Sequence, residues 1–353
     1  MSVAMRGNEM SGNDRSAPTV GPPVSVPYRP THARFGWRAG AVVAASVVAL
    51  AAAPFFLAPY ATTTLTRMLV FALLAASLDL LVGIAGLPSL GHAAYFGVGA
   101  YAAGWVAAHG TPAAPVPLLA AAVAGALIAA AAGWLAVRSS GVFFLMLTLA
   151  LAEVIQQLAE SWEPVTGGSN GMYGIPAVTA GGEALTNVAY LHWYVLLWFL
   201  VGLLVLWSLS ASPFGATLRG IRDNEPRMRA IGFQPFRYKL AAFVAAGAVA
   251  GLAGGLLTAQ QRLVTPADLG FTTSALALLA VVIGGSGTIW GPCLGAALVI
   301  LVRDSLAPSL GGRGPLVLGL VFIVVVYALP RGVAGLRRPR RGQEPRSRAG
   351  GAG

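Results

Sequence analysis

Lysine occurs once in this chain, as Lys239, and cysteine once, as Cys293. A single cysteine excludes an intrachain disulfide and a cysteine-based metal cluster, and in its apolar run Cys293 reads as a buried small hydrophobe. A single lysine excludes a nucleotide-binding P-loop, which needs a glycine-rich turn closing on Gly-Lys-Ser/Thr; Lys239 lies instead in "FRYKL". Charge of either sign is scarce, at 10% of 353 residues, where soluble domains carry about 25%. That excludes a soluble globular protein.

What fills the chain is apolar. Hydrophobic residues make up 56% and the mean hydropathy is +0.73. A hydrocarbon core about 30 Å thick needs about 20 apolar residues at about 1.5 Å rise each. The expectation is an all-α integral membrane protein with ten transmembrane helices. The first is "GAVVAASVVALAAAPFFLAPY", and nine follow at about 65–86, 89–108, 115–137, 141–160, 190–211, 239–262, 273–289, 291–309 and 315–330. The apolar run of the first span continues past Ala51-Ala52-Ala53, so it reads as a retained helix rather than a cleaved leader.

The 23 positive residues outnumber the 12 acids, and they are concentrated in three places. These are the tail before residue 39, the segment from Arg219 to Lys239, and the tail after Pro330. The positive-inside rule puts all three in the cytoplasm, and ten spans put both termini on one side. The expected organisation is a disordered cytoplasmic tail over 1–37, a polytopic domain over 38–330 with a cytoplasmic loop at 212–239, and a basic cytoplasmic tail over 331–353. The longest loop on the other side, residues 161–188, is rich in turn formers and long enough to be either functional or disordered.

Several spans are dense in glycine: "GIAGLPSLGHAAYFGVGAYAAG", "GLAGGLLTA" and "VVIGGSGTIWGPCLGAAL", with Gly251 and Gly255, and Gly291 and Gly295, at GxxxG spacing. Such glycines let helices pack closely or let a helix break where it lines a cavity. The run from Gly284 to Gly287 superficially resembles an intramembrane-protease serine motif. A serine nucleophile needs a base within reach, and His92, His109 and His192 have no fitting placement relative to Ser286, so a turn between two spans is expected. Asp79 and Glu153 are the two clear acids inside spans, each costly at mid-helix, about 2.5–3.5 kcal/mol on insertion scales. Glu153, Gln156 and Gln157 share one helical face, expected to turn inward to a water-filled path or to interhelical hydrogen bonds.

The island "RGIRDNEPRMRAIG" breaks the pattern. Ser212-Pro213 fits an N-cap and first-turn proline, starting a short helix through about Arg222. Pro226 biases Glu225 away from the helical region, so a break is expected there. Asn224 can cap a second short helix from about Pro226 to Gly232, a left-handed C′ residue.

Five blocks in order make the chain resemble, from about residue 62 to 330, the permease subunits of branched-chain amino-acid ABC importers of the LivM kind. They are "SLDLLVGIAGLPSLGHAAYFGVGAYAAG", "SGVFFLMLTLALAEVIQQLA", "TGGSNGMYGIP", "SPFGATLRGIRDNEPRMRAIGFQPFRYKLAAFVAAGAVAGLAGGLL" and "VVIGGSGTIWGPCLGAAL". The resemblance implies a type II-like ABC importer permease with Gly-rich broken or re-entrant segments, no enzyme, in a bacterial inner membrane. Its implied partners are a second, LivH-like permease, two cytoplasmic LivG/LivF-like ATPases and a solute-binding protein, with no nucleic acid. It implies no cofactor or metal of its own, ATP being used by the ATPases. Glu225 to Gly232 stands where the family carries its coupling, EAA-like loop, with Pro226-Arg227 where alanines are common. The coupling residues implied are Arg219, Arg222, Asp223, Asn224, Glu225, Arg227 and Gly232. The Gly-rich spans would line or gate the path, with Asp79, Ser89, His92, Glu153, Gln156 and Gln157 as candidates, and the 161–188 loop could meet the binding protein. Leucine, isoleucine and valine are the implied substrates, with urea or short amides as the family's other cargo. A stand-alone secondary transporter or channel is the alternative reading.

Overall fold

A computed structural model of the chain describes residues 37–306 and, beyond them, Leu316, Gly319, Leu320 and Ile323. The two tails and most of the expected tenth span lie outside the described residues. The chain divides at Ser46 into a short first unit and a second running from Val47. The first helix, α1 (Trp37–Phe56), crosses that division. In the first unit the Ser46 hydroxyl donates to the carbonyl of Val42 at 2.9 Å.

The second unit is built from long apolar helices. They are α2 (Pro59–Asp79), continued by a π-helical turn at Leu80–Ala85, α3 (His92–His109), α4 (Val116–Ala136), α5 (Val142–Ser161), α7 (Val188–Ala211), α10 (Pro235–Gln261), α11 (Phe271–Gly284) and α12 (Trp290–Leu301). Between α5 and α7 lies the short α6 (Glu163–Thr166), and between α7 and α10 lie α8 (Pro213–Asp223) and α9 (Glu225–Ala230). Among the described residues, five helical segments are long and apolar enough to cross a bilayer, α2 with its π-helical extension, α4, α5, α7 and α10. The expected spans at 273–289 and 291–309 are shorter as α-helices, the second passing into a π-helical turn at Val302–Leu306.

Helices α3, α4 and α10 pack most intimately, and α2 runs against α7, α10, α11 and α12. Glycine makes the first contact possible. A Cβ on Gly251 would meet the Ala121 carbonyl of α4, and one on Gly254 would overlap the Phe96 carbonyl of α3. Gly295 likewise faces the Ala280 carbonyl, which brings α12 onto α11. The GxxxG spacings therefore serve backbone approach. The run Gly284–Gly287 is a turn between α11 and α12, with Gly285 and Gly287 at φ 94 and 82. Polar staples tie the bundle elsewhere. His192 of α7 donates from Nε2 to the Leu50 carbonyl of α1 at 2.9 Å, and its Nδ1 lies 2.8 Å from Thr66 Oγ1 of α2.

Two stretches return into the bundle without α-helix. After α2, residues 86–91 run back until His92 starts α3, where its Nε2 lies 2.9 Å from Ser77 Oγ of α2. The Leu90 amide is met there by Thr148 Oγ1 of α5 at 3.3 Å. After α10, Arg262–Gly270 passes beside α3, with Leu269 buried against Gly97, and in the first turns of α11 Thr273 and Ser274 are buried. The Ala93 amide donates to Ser274 Oγ at 2.9 Å, so the starts of α3 and α11 meet. Irregular backbone survives there because side chains and neighbouring helices satisfy its polar groups.

The ends of the helices sort into two levels. At one, Tyr60 reaches the Asp304 carbonyl, β1 (Met172–Tyr173) pairs antiparallel with β4 (Leu263–Val264), and the Ala114 amide donates to the Thr179 carbonyl at 2.8 Å. At the other, Arg222 of α8 binds the Gly83 carbonyl at the foot of α2. The 161–188 loop is ordered. It carries α6, a 3-10 turn at Gly168–Asn170, and the hairpin of β2 (Thr179–Ala180) and β3 (Glu183–Ala184). Gly171, at φ 76, lies so close to the Val264 carbonyl that a Cβ would overlap it, which seats the loop on β4. Cys293 is half-buried on α12 rather than fully buried.

Candidate functional site

The charged island folds as two capped helices, with one difference from the sequence expectation. Ser212 caps α8 by accepting from the Gly215 amide at 3.4 Å. The break falls at Asn224, not at Glu225: Asn224 has φ −157 and ψ 90, and its side chain accepts from the Arg227 amide at 3.0 Å. Pro226 sits in the first turn of α9, where a missing N–H costs nothing, so Glu225 can be the first helical residue. The first helix accordingly runs one residue further, to Asp223. Gly232 follows α9 at φ 95, and the Phe233 amide returns to the Met228 carbonyl at 3.1 Å, the closure expected of a left-handed C′ glycine.

The island's charges are closed among themselves and onto the long helices. Glu225 accepts from Arg229 at 2.9 Å and from Lys239 of α10 at 2.6 Å. Arg222 binds Asp223 at 3.0 Å and the Gly83 carbonyl, its stem lying over Gly86. Arg219 donates to the Ser210 carbonyl of α7 at 3.1 Å. The short helices are thereby fastened to α2, α7 and α10, while the side chains of Arg227 and Arg229 stay exposed.

At the opposite end the elements enclose a cleft of about 580 Å³. Its polar rim includes Arg67 of α2, Glu153 and Gln156 of α5, Asp268, and Arg303 after α12. Phe71, Leu257 and Phe271 supply apolar wall, and the first turn of α11 borders it. Arg67 pairs with Asp304 at 3.0 Å. Asp268 is committed to a capping box, its Oδ2 accepting from Thr265 N and Oγ1 at 2.9 and 3.0 Å. Gln156 donates to Glu160 at 3.1 Å. Glu153 and Arg303 form no ion pair among the described residues.

The structure therefore separates the path candidates. Glu153 and Gln156 border the cleft, whereas Gln157, as exposed as Glu153, does not. An i, i+3, i+4 set covers an arc of about 100°, wide enough for one edge to face away. Asp79, Ser89 and His92 are buried elsewhere. Asp79 Oδ1 accepts from the Gly287 amide at 2.8 Å, pinning the α11–α12 turn to the foot of α2. Ser89 Oγ accepts from the Gly91 amide at 3.3 Å, and His92 is held by Ser77. Arg67 and Arg303 escaped the sequence reading. The available signal was Arg67 itself, the one basic residue in the α2 span.

A family model for "branched-chain amino acid transport system / permease component" matches residues 60–329. The chain belongs to that family. It is thus a multi-pass membrane permease component and not an enzyme. The LivM permease of the Escherichia coli high-affinity branched-chain amino acid transport system is 28% identical over 329 residues, covering 84% of this chain and 75% of that protein. The BraD permease of Pseudomonas aeruginosa is 24% identical over 75% of this chain and 91% of its own length. A probable LivH permease of Methanocaldococcus jannaschii is 26% identical over 63% and 73%. No solved structure matches the permease.

Proposed function

We propose that this permease forms half of the membrane pathway of an ABC importer for leucine, isoleucine and valine in a bacterial inner membrane, with both termini cytoplasmic. A second, LivH-like permease completes the pathway, two LivG/LivF-like ATPases supply the energy, and a solute-binding protein delivers the substrate. The relatives named for branched-chain amino acid transport support the substrate class.

The observation that carries the mechanism is the fastening of α8 and α9. A loop that only obeyed the charge rule would need no caps and no partners. Here each helix is capped, and the pair grips the π-helical foot of α2 through Arg222 and the start of α10 through Lys239. Docked on an ATPase, such a segment passes a displacement to α2, whose length reaches the cleft at Arg67 and Phe71. The Asp79 bond carries the same foot to the α11–α12 turn. Closure of the ATPases would then tilt these helices together and switch the pathway between outward- and inward-facing forms. The ordered 161–188 loop, seated on β4 beside the cleft, supports a place for the binding protein. Arg219, Asp223, Asn224, Arg227 and Gly232 shape or flank the docking face.

The test is uptake of leucine by the complete transporter in proteoliposomes. Abolishing catalysis in the ATPase subunits is expected to abolish uptake. Uptake that persists would leave a stand-alone transporter or channel as the reading.

A further inference from the structure

The cleft holds two charges of opposite sign that no ion pair within the described chain satisfies: the Glu153 carboxylate and the Arg303 guanidinium. Both residues are exposed at the cleft, so each charge is accessible to a ligand of opposite sign. Other ionised groups at the rim are accounted for, since Arg67 binds Asp304 and Asp268 holds its capping box. Glu153 belongs to α5 and Arg303 follows α12, so the two come from separate elements brought to one cavity.

The first turn of α11 adds a third feature. Phe271, Thr272 and Thr273 border the cleft, and the first N–H groups of an α-helix have no intrahelical acceptor and carry the positive end of its dipole. Between the polar groups lie Phe71, Leu257 and Phe271. About 580 Å³ falls within the range of small-ligand sites, about 300–1,000 Å³.

We propose that this cleft is a binding site within the permease for a zwitterionic amino acid with an apolar side chain. Its carboxylate meets Arg303 and the first turn of α11, its ammonium meets Glu153, and its side chain lies on Phe71 and Leu257. Specificity would then be read twice, once by the binding protein and again by the permease. The proposal rests on the importer reading above.

The experiment measures equilibrium binding of radiolabelled leucine to the assembled permease–ATPase complex in nanodiscs, without binding protein, in nucleotide-free and ATP-bound forms. The competitors are 4-methylpentanoate, which lacks the amino group, and isoamylamine, which lacks the carboxylate. Wild-type complex is expected to bind leucine in one of the two forms. Glu153→Gln is expected to weaken leucine about tenfold, the loss of one charge-assisted contact, while leaving 4-methylpentanoate unchanged. Arg303→Gln is expected to weaken leucine and 4-methylpentanoate together and spare isoamylamine. Glu153→Asp should recover part of the affinity, and Val154→Ala, exposed on the same helix, should bind as wild type. A structural role would shift all three ligands alike. No leucine binding in either form, or binding whose analogue ranking neither variant changes, overturns the proposal. The importer reading fails separately, if uptake survives dead ATPases.

Discussion

Two islands of charge stand at opposite ends of this permease, and they use charge in opposite ways. In α8 and α9 nearly every formal charge is spent inside the protein: Glu225 between Arg229 and Lys239, Arg222 on Asp223 and Gly83, Arg219 on Ser210. At the cleft, Glu153 and Arg303 remain unpaired among the described residues. A self-satisfied island is rigid and suited to transmitting force. An unsatisfied one is suited to binding what satisfies it.

The comparison can be strained from the α8–α9 end first. Arg222→Ala removes the grip on the foot of α2 and is expected to lower leucine uptake about tenfold at equal permease abundance, within the usual span of coupling free energies. Uptake assays normalised by immunoblot check this. Asp79→Ala leaves the Gly287 amide without its acceptor inside the protein, a loss of about 1–3 kcal/mol. The thermal unfolding midpoint of purified permease should fall, while Asp79→Asn, which keeps an acceptor oxygen, should hold it. If Asp79→Asn abolished uptake with the midpoint intact, Asp79 would belong to the path as well as to the staple. Lys239→Ala removes one of the two partners of Glu225 and is expected to cost about 1 kcal/mol, visible as a smaller shift in the same midpoint. Arg229→Ala breaks only an exposed i, i+4 pair, worth about 0.3–0.5 kcal/mol, and should change neither midpoint nor uptake measurably.

The two islands also differ in how legible they were. Ser212-Pro213, Asn224 and Gly232 act on backbone within three or four residues of themselves, so the two-helix form was readable from local chemistry. Even there the break fell one residue early, because proline is as comfortable in a first turn as it is disruptive later. The cleft joins α2, α5, the end of α10, the 265–273 stretch and Arg303, and no local pattern announces a cavity made of such distant pieces. Asp79 illustrates the same limit. A buried acid in a span was visible, but its partner lies 208 residues away, and without that partner a staple and a path residue look alike. The glycine spacings were readable as close packing, since a missing Cβ has the same consequence wherever the partner helix lies.

The most direct measurement of the central claim is the ratio of leucine imported to ATP hydrolysed by the complete transporter carrying Glu225→Ala together with Gly232→Val. The first change frees Lys239 and Arg229, and the second forces a β-branched residue into the left-handed backbone that ends α9. The account predicts that the permease inserts and assembles, that hydrolysis continues, and that the ratio falls by about tenfold or more. An unchanged ratio, or a defect confined to membrane insertion, would contradict the claim that α8 and α9 drive the permease.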